Sequence, residues 1–179
     1  LKVFVGDKSK QDVKALMPIV NKIKTFEAAT QALSNDALRA KTLAFKDTIK
    51  DACLSLENSI AGLYTEADTS EDIDRKEEIY QEIDSLKDAV YAKTQEVLET
   101  ILPEAFSVIK ETARRFVNNT SIEVTASTYD RELSGTKDYI SLDGEKAFWS
   151  NSWDAAGKPI TWDMVHYDVQ LIGGVAMHQ

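Results

Sequence analysis

Two long apolar stripes constrain this chain more than any other feature. The first runs Leu38, Thr42, Phe45, Ile49, Ala52, Leu56, Ile60 and Leu63, in steps of four and three residues. That spacing is close to a heptad, the repeat that lets one helix lie along another. The second runs Ile73, Tyr80, Ile83, Leu86, Val90, Thr94, Val97 and Ile101. Gly62 lies near the end of the first stripe, and residues 64–68 form a polar break. Two long helices with a short link predict an antiparallel hairpin over residues 35–101. Ser34 is placed to cap its first helix, although Ala37 stands where a full capping box has Glu or Gln. Thr69 or Ser70 is placed to cap the second, with Glu71 and Asp72 in a first turn that favours anions.

The charge on this hairpin is lopsided. Residues 51–102 carry fourteen acids and four bases, so its exposed face is strongly acidic. The whole chain of 179 residues has a formal net charge of −9. Residues 1–24 run the other way, with six lysines against two aspartates. The bulk of the chain should therefore repel nucleic acid and anionic membrane, while its N-terminal end can approach either. No run of about 18 apolar residues is present, so no membrane span is expected. The opening, Leu1-Lys2-Val3-Phe4-Val5-Gly6-Asp7, turns polar too soon for a secretory signal. The single Cys53 excludes an internal disulfide framework and a cysteine-rich zinc site, and it fits a reducing compartment.

Further elements flank the hairpin. Val13, Leu16, Met17, Val20, Ile23 and Phe26 predict a helix over residues 12–26, with Lys10, Lys14, Lys22 and Lys24 mostly on its other side. Pro18 should kink or delay that helix. Pro103 suits the first position of a separate fourth helix, buried through Phe106, Ile109, Ala113, Phe116 and Val117. Arg114 and Arg115 fall in its last turn, and Asn118-Asn119 ends it. Residues 121–127 alternate like a strand. Residues 138–142 and 145–149 flank Asp143-Gly144, the signal of a hairpin with a type I′ turn. Residues 155–158 reverse the chain again before residues 159–162. Trp149, Trp153 and Trp162 all lie here, in what reads as an antiparallel meander of three or four strands. A meander this small must pack on helices. A last apolar helix follows, with Asp168 as its cap. The fold class is α+β, mainly α. The chain lacks an initial Met and stops inside this helix, so it reads as a piece of a longer protein.

No catalytic constellation emerges from these residues. HExxH, GxSxG and GxxxxGK[ST] are all missing from the sequence. His166 and His178 are twelve residues apart with no carboxylate at ligand spacing, so no metal site is expected. Cys53 has no local histidine to activate it and reads as a half-buried helix residue. The hairpin carboxylates are spaced as a solvated exterior. Gly173-Gly174 reads as a site of close helix packing. On these residues alone the chain reads as an acidic helical interaction module that would dock a basic protein partner without nucleotide.

Five segments carry a family resemblance. Tyr167-Asp168-Val169-Gln170-Leu171-Ile172-Gly173-Gly174 closely resembles the Q-motif region of the SecA preprotein translocase ATPase family, where the pattern is aromatic-Asp-Val-Gln-Leu-hydrophobic-Gly-Gly. Lys2-Val3-Phe4 resembles the family's opening. Asn21-Lys22-Ile23 with Phe26-Glu27 resembles the end of its first helix. Leu33-Ser34-Asn35-Asp36-Ala37-Leu38-Arg39-Ala40-Lys41-Thr42-Leu43-Ala44-Phe45-Lys46 resembles its Leu-Ser-Asp-x-x-Leu-x-x-Lys-Thr-x-x-Phe-Arg segment. Leu102-Pro103-Glu104-Ala105-Phe106 with Lys110-Glu111 resembles its Leu-Pro-Glu-Ala-Phe and Arg-Glu positions. Residues 51–98 and 118–162 are additions to the shorter family members.

The resemblance implies the N-terminal part of a P-loop motor domain, cut before its phosphate loop. Residues 1–117 would be a helical N-terminal region that includes the acidic hairpin at 35–101. Residues 118–163 would be a β-meander insertion, and residues 164–179 would open the first nucleotide-binding domain. Gln170 would read adenine, Tyr167 and Met164 would line the adenine pocket, and Asp168 would cap the helix that positions Gln170. The cofactor would be ATP, with Mg in the whole protein. The partners would be preprotein, the membrane secretion channel, acidic phospholipid through the Lys-rich N-terminal helix, and a second copy of the chain, but no nucleic acid. The protein would be cytoplasmic and peripherally bound to the inner face of the cell membrane. The piece alone would turn over no ATP and would bind nucleotide weakly.

Overall fold

The computed structural model describes the backbone of residues 2–178 and the side chains of residue 11 and residues 13–178. The side chains of the Lys2-Val3-Phe4 opening, and that of Lys10, lie outside the described residues. In chain order the elements are α1 (Lys2–Thr25), α2 (Glu27–Gln31), α3 (Asn35–Thr69), α4 (Ile73–Asn118), β1 (Ser121–Thr125), α5 (Thr128–Ser134), β2 (Ile140–Asp143), β3 (Lys146–Ser150), β4 (Ser152–Ala155), β5 (Lys158–Thr161) and α6 (Asp168–His178). The fold is mostly helical with two small antiparallel sheets. It divides into two compact units, one of residues Thr42–Leu102 and one of Leu1–Lys41 with Pro103–Gln179.

Residues 42–102 form a helical hairpin, and residues 35–41, expected within it, belong to the other unit. Ala67, Ile79 and Ile83 are buried at the core of the hairpin, with Ile60 and Leu63 packed against them. Farther along, the Cys53 thiol of α3 lies 3.4 Å from the Thr94 hydroxyl of α4. Cys53 is fully buried in this seam rather than half-buried. The start of α4 differs from expectation. Thr69 still belongs to α3, and its hydroxyl donates to the Thr65 and Glu66 carbonyls. The cap is Asp72, whose Oδ1 accepts the N–H groups of Asp74 at 3.0 Å and Arg75 at 3.3 Å. Ile79 takes the seam position assigned to Tyr80. A buried tyrosine must find a partner for its hydroxyl; Tyr80 instead lies on the flank, edge-on to Tyr64, with ring centroids 6.4 Å apart. Ile73 is exposed.

Pro103 does not begin a new helix. α4 runs through it without a break. A proline inside a helix costs about 3 kcal/mol by removing a hydrogen bond and crowding the preceding turn. Burial of Leu102, Ser107 and Val108 around it offsets that cost. Pro18 is likewise inside α1, which starts well before residue 12. Val20 and Ile23 form the buried side of α1.

In the other unit, β3 is the central strand of a three-stranded sheet ordered β1-β3-β2. β4 and β5 form a separate two-stranded ribbon. The expected sequential meander is therefore not what forms. The reason is α5, a helix not anticipated above, which carries the chain from β1 round to β2. Ser127 and Asp130 make a reciprocal capping box at its start. The β2–β3 turn also differs. Asp143 pairs with Lys146, which leaves Gly144-Glu145 as the two-residue loop. Only Gly144 has positive φ, at 57°, which is the pattern of a type II′ turn. The β4–β5 loop, Ala156-Gly157, has φ of 55° and 80°, as a type I′ turn requires.

The outer edge of β1 is covered by the first turn of α3. Asn35 Nδ2 donates to the Glu123 carbonyl at 2.9 Å, and the Arg39 guanidinium donates to the Thr125 carbonyl at 2.7 Å. Asp36 accepts the Thr125 N–H at 2.8 Å. Side chains of a helix end thus satisfy the groups that another strand would have paired. Ser34 caps this helix as expected, with its hydroxyl 3.1 Å from the Ala37 nitrogen.

Candidate functional site

The segment that leads into α6 is held from both sides. Behind it, the Trp162 N–H donates to the Asn151 carbonyl at 2.8 Å, and the Asn151 amide donates to the Phe116 carbonyl at 3.1 Å. The Trp162 indole N–H donates forward to the Met164 carbonyl at 2.7 Å. Ahead of it, Leu171 and Val175 bury the inner face of α6, which packs on α1. Gly174 lets α6 approach α4 closely. A Cβ there would lie 2.6 Å from the Phe106 ring, whereas one at Gly173 would meet nothing within 4 Å. Close packing through this pair therefore depends on Gly174 alone.

The structure brings Met164, Tyr167 and Gln170 together. Tyr167 precedes the first residue of α6, and Gln170 is three residues farther on. Gln170 Oε1 accepts the Tyr167 backbone N–H at 2.8 Å. This is the returning half of a capping box, which satisfies a donor that the helix leaves unpaired. Gln170 Nε2 donates to the Met164 sulfur at 3.3 Å. The Tyr167 carbonyl accepts the N–H groups of Gln170 and Leu171. Tyr167 is 72% exposed, Gln170 is exposed, and Met164 is half-buried.

Asp168 is not the cap. It is the first helical residue, and its carboxylate lies 2.6 Å from the Lys24 ammonium at the end of α1. A carboxylate there suits the positive end of the helix dipole, and a lysine at the end of α1 suits its negative end. Nothing in the local sequence pointed to Lys24, which is 144 residues away.

The site offers an oriented amide, an exposed phenol ring and a thioether. The Gln170 amide keeps one N–H and one oxygen lone pair beyond those already used. The Nδ1 of neighbouring His166 is buried without a hydrogen-bond partner. Among the described residues, no group of three or more His, Cys, Asp or Glu could hold a metal ion. No described helix is long and apolar enough to cross a membrane.

Two buried acids lie elsewhere in this unit and serve its framework. Burial pushes the Glu111 carboxyl up, but bonds from Arg114 and Arg115 outweigh it and hold the group below its usual range. Arg115 in turn donates to the Thr30 and Leu33 carbonyls and to the Asn35 side chain. Asp130 is fully buried. Burial pushes it up too, and bonds from Ser127, Arg39 and Trp149 hold it down to about 2.

Comparison with known proteins gives the family. The family model "SecA DEAD-like domain" matches residues 1–179. The protein translocase subunit SecA of Christiangramia forsetii is 62% identical over 179 residues, which is 100% of this chain and 16% of that protein. Those of Flavobacterium psychrophilum and Bacteroides fragilis are 57% and 40% identical over the same length, again 16% of each. These alignments run through both the hairpin and the strands. The chain thus spans about a sixth of the curated relatives it matches. No solved structure matches it. A match over its whole length places the chain in the SecA DEAD-like domain family.

Proposed function

We propose that this chain is the N-terminal segment of an ATP-driven motor that moves preproteins through a membrane secretion channel. On this reading residues 164–179 open its first nucleotide-binding domain, a P-loop motor domain. The observation that supports it is the Gln170 amide, exposed and oriented at the start of α6 between Met164 and Tyr167. A glutamine amide can donate to adenine N7 and accept from the N6 amino group together. Met164 and Tyr167 supply soft and aromatic contact to the base. In the whole protein, ATP with Mg supplies the phosphoryl group whose transfer drives the motor.

The residues present here orient the base, and they include no Gly-x-x-x-x-Gly-Lys-[Ser/Thr] loop to hold phosphates. The piece alone therefore turns over no ATP. Its partners in the whole protein are the preprotein, the channel, a second copy of the chain and acidic phospholipid. The lysines of α1, Lys14 and Lys22 among them, would meet the lipid at the cytoplasmic face.

The test is the KM for ATP in the intact protein. Gln170→Ala should raise it about tenfold, since a good bidentate pair discriminates by about 1–3 kcal/mol. An unchanged KM with an intact fold would defeat the reading. Turnover by the purified piece above a heat-denatured control would defeat its inactivity.

A further inference from the structure

We infer that the flank of the α3–α4 hairpin carrying Tyr64, Tyr80 and Tyr91 docks a basic helical segment of another protein. Half of the six tyrosines of the chain lie here, outside the seam. Tyr64 is 40% exposed, Tyr80 48% and Tyr91 69%. Tyr80 and Tyr91 are eleven residues apart, which puts both on one side of α4, about 16 Å from each other along its axis. Tyr64 meets the Tyr80 ring edge-on. The rings thus form a strip and are not scattered. Tyrosine is a weaker helix former than the Lys, Glu and Ala that suit a solvated helix face. Clustered exposed aromatics are instead the mark of an interface.

Carboxylates border the strip. Glu77 and Asp84 stand three and four residues from Tyr80, Asp88 three from Tyr91, and Asp68 four from Tyr64. Residues so spaced are neighbours on a helix surface, and all four acids are exposed. The strip already holds one cation of its own. The Lys87 ammonium lies 3.3 Å from Asp84 and 5.8 Å from the centre of the Tyr64 ring. That contact displays the chemistry the strip offers, a cation taken by a ring face and a carboxylate together. Charge then selects the occupant. With fourteen acids against four bases over residues 51–102, this unit repels anionic lipid and nucleic acid. Two copies of the hairpin would set like charges against each other. A protein helix with Arg or Lys along one side has the opposite charge and side chains that settle on rings. Its basic residues would span the same three turns as Tyr80 and Tyr91.

The experiment is fluorescence anisotropy with the intact protein. The probe is a labelled alanine-based helical peptide with arginines along one side over three turns, and its control has glutamate in their place. The arginine peptide should bind and the glutamate peptide should not. Tyr80→Leu with Tyr91→Leu keeps helix propensity and apolar bulk but removes both ring faces. It should weaken the arginine peptide about tenfold, roughly threefold for each ring, with the melting temperature unchanged. Tyr80→Phe with Tyr91→Phe keeps the faces and should bind as wild type does. Basic-peptide sites elsewhere on the protein are untouched by these changes, so the difference between variants is the readout. Wild-type affinity in the leucine pair overturns the inference, and so does equal weakening in the phenylalanine pair. Should the leucine pair fail to fold, Tyr91→Leu decides alone, and unchanged affinity there overturns the inference. Sedimentation covers the remaining occupant. A wild-type dimer that the leucine pair dissociates would make the strip a contact between copies and overturn the basic partner.

Discussion

Asp130 shows how one side chain can organise its surroundings. Its carboxylate accepts from the Ser127 N–H at 2.8 Å, the Ser127 hydroxyl at 2.7 Å, Arg39 at 2.8 Å and the Trp149 indole at 3.0 Å. Its pKa of about 2 lies below the ordinary 3.8. A depressed carboxylate stabilises the fold above its unfolded pKa and loses that contribution as pH falls through its folded one. Asp130 should therefore supply about 2 kcal/mol above pH ~4 that is gone below pH ~2. Urea unfolding at stepped pH should show this slope in the wild type and lose it in Asp130→Asn. The Ser127-x-x-Asp130 half of this cluster is a local pattern, although residues 121–127 read as a strand and α5 was not anticipated. The Arg39 half is not, because that contact spans 91 residues. Ala156 is a second case, held at φ 55° by the I′ turn. The left-handed region costs a non-glycine residue about 1–2 kcal/mol. Ala156→Gly should therefore raise the melting temperature, by relieving more strain than its added unfolded-state freedom costs.

The contact between α6 and α4 turns on two adjacent glycines that behave differently. Gly174→Ala would drive a methyl into the Phe106 ring and should cost about 1–3 kcal/mol by overpacking. Gly173→Ala meets open space and should gain up to about 1 kcal/mol of helix propensity. Opposite shifts in melting temperature for these two variants would confirm that α6 docks through Gly174, and equal shifts would contradict it. The paired glycines were readable as a packing signal, but which of them packs was not, since that depends on the position of Phe106. Helix periodicity showed the α3–α4 seam because one face had to be apolar along its whole length. The break expected at Pro103 did not form, because burial around it outweighs a local preference. The strand order was hidden for a related reason. β1 pairs with β3 because α5 carries the chain past it and α3 covers its other edge, and neither constraint lies within the strands themselves.

The chain folds as two compact units. Residues 42–102 form an acidic hairpin with a narrow core of Ala67, Ile79 and Ile83. Fourteen acids against four bases over residues 51–102 repel one another, and salt screens that repulsion within about 10 Å at 0.1 M. The melting temperature should rise by a few degrees between 20 mM and 200 mM NaCl, and a fall would show that the surface ion pairs dominate instead. The other unit carries the candidate site. The motif around Gln170 was legible in the sequence, and so was its three-residue distance from Tyr167. The Met164 sulfur contact and the Lys24–Asp168 pair were not, because a loop and a distant helix supply them. The proposed function makes this helix end a base-reading element at the start of a larger motor. Calorimetric titration of ATP into the intact protein and its Gln170→Ala variant tests that claim most directly. The account expects affinity to fall about tenfold with the melting temperature unchanged, and equal affinities in two equally folded proteins would contradict it.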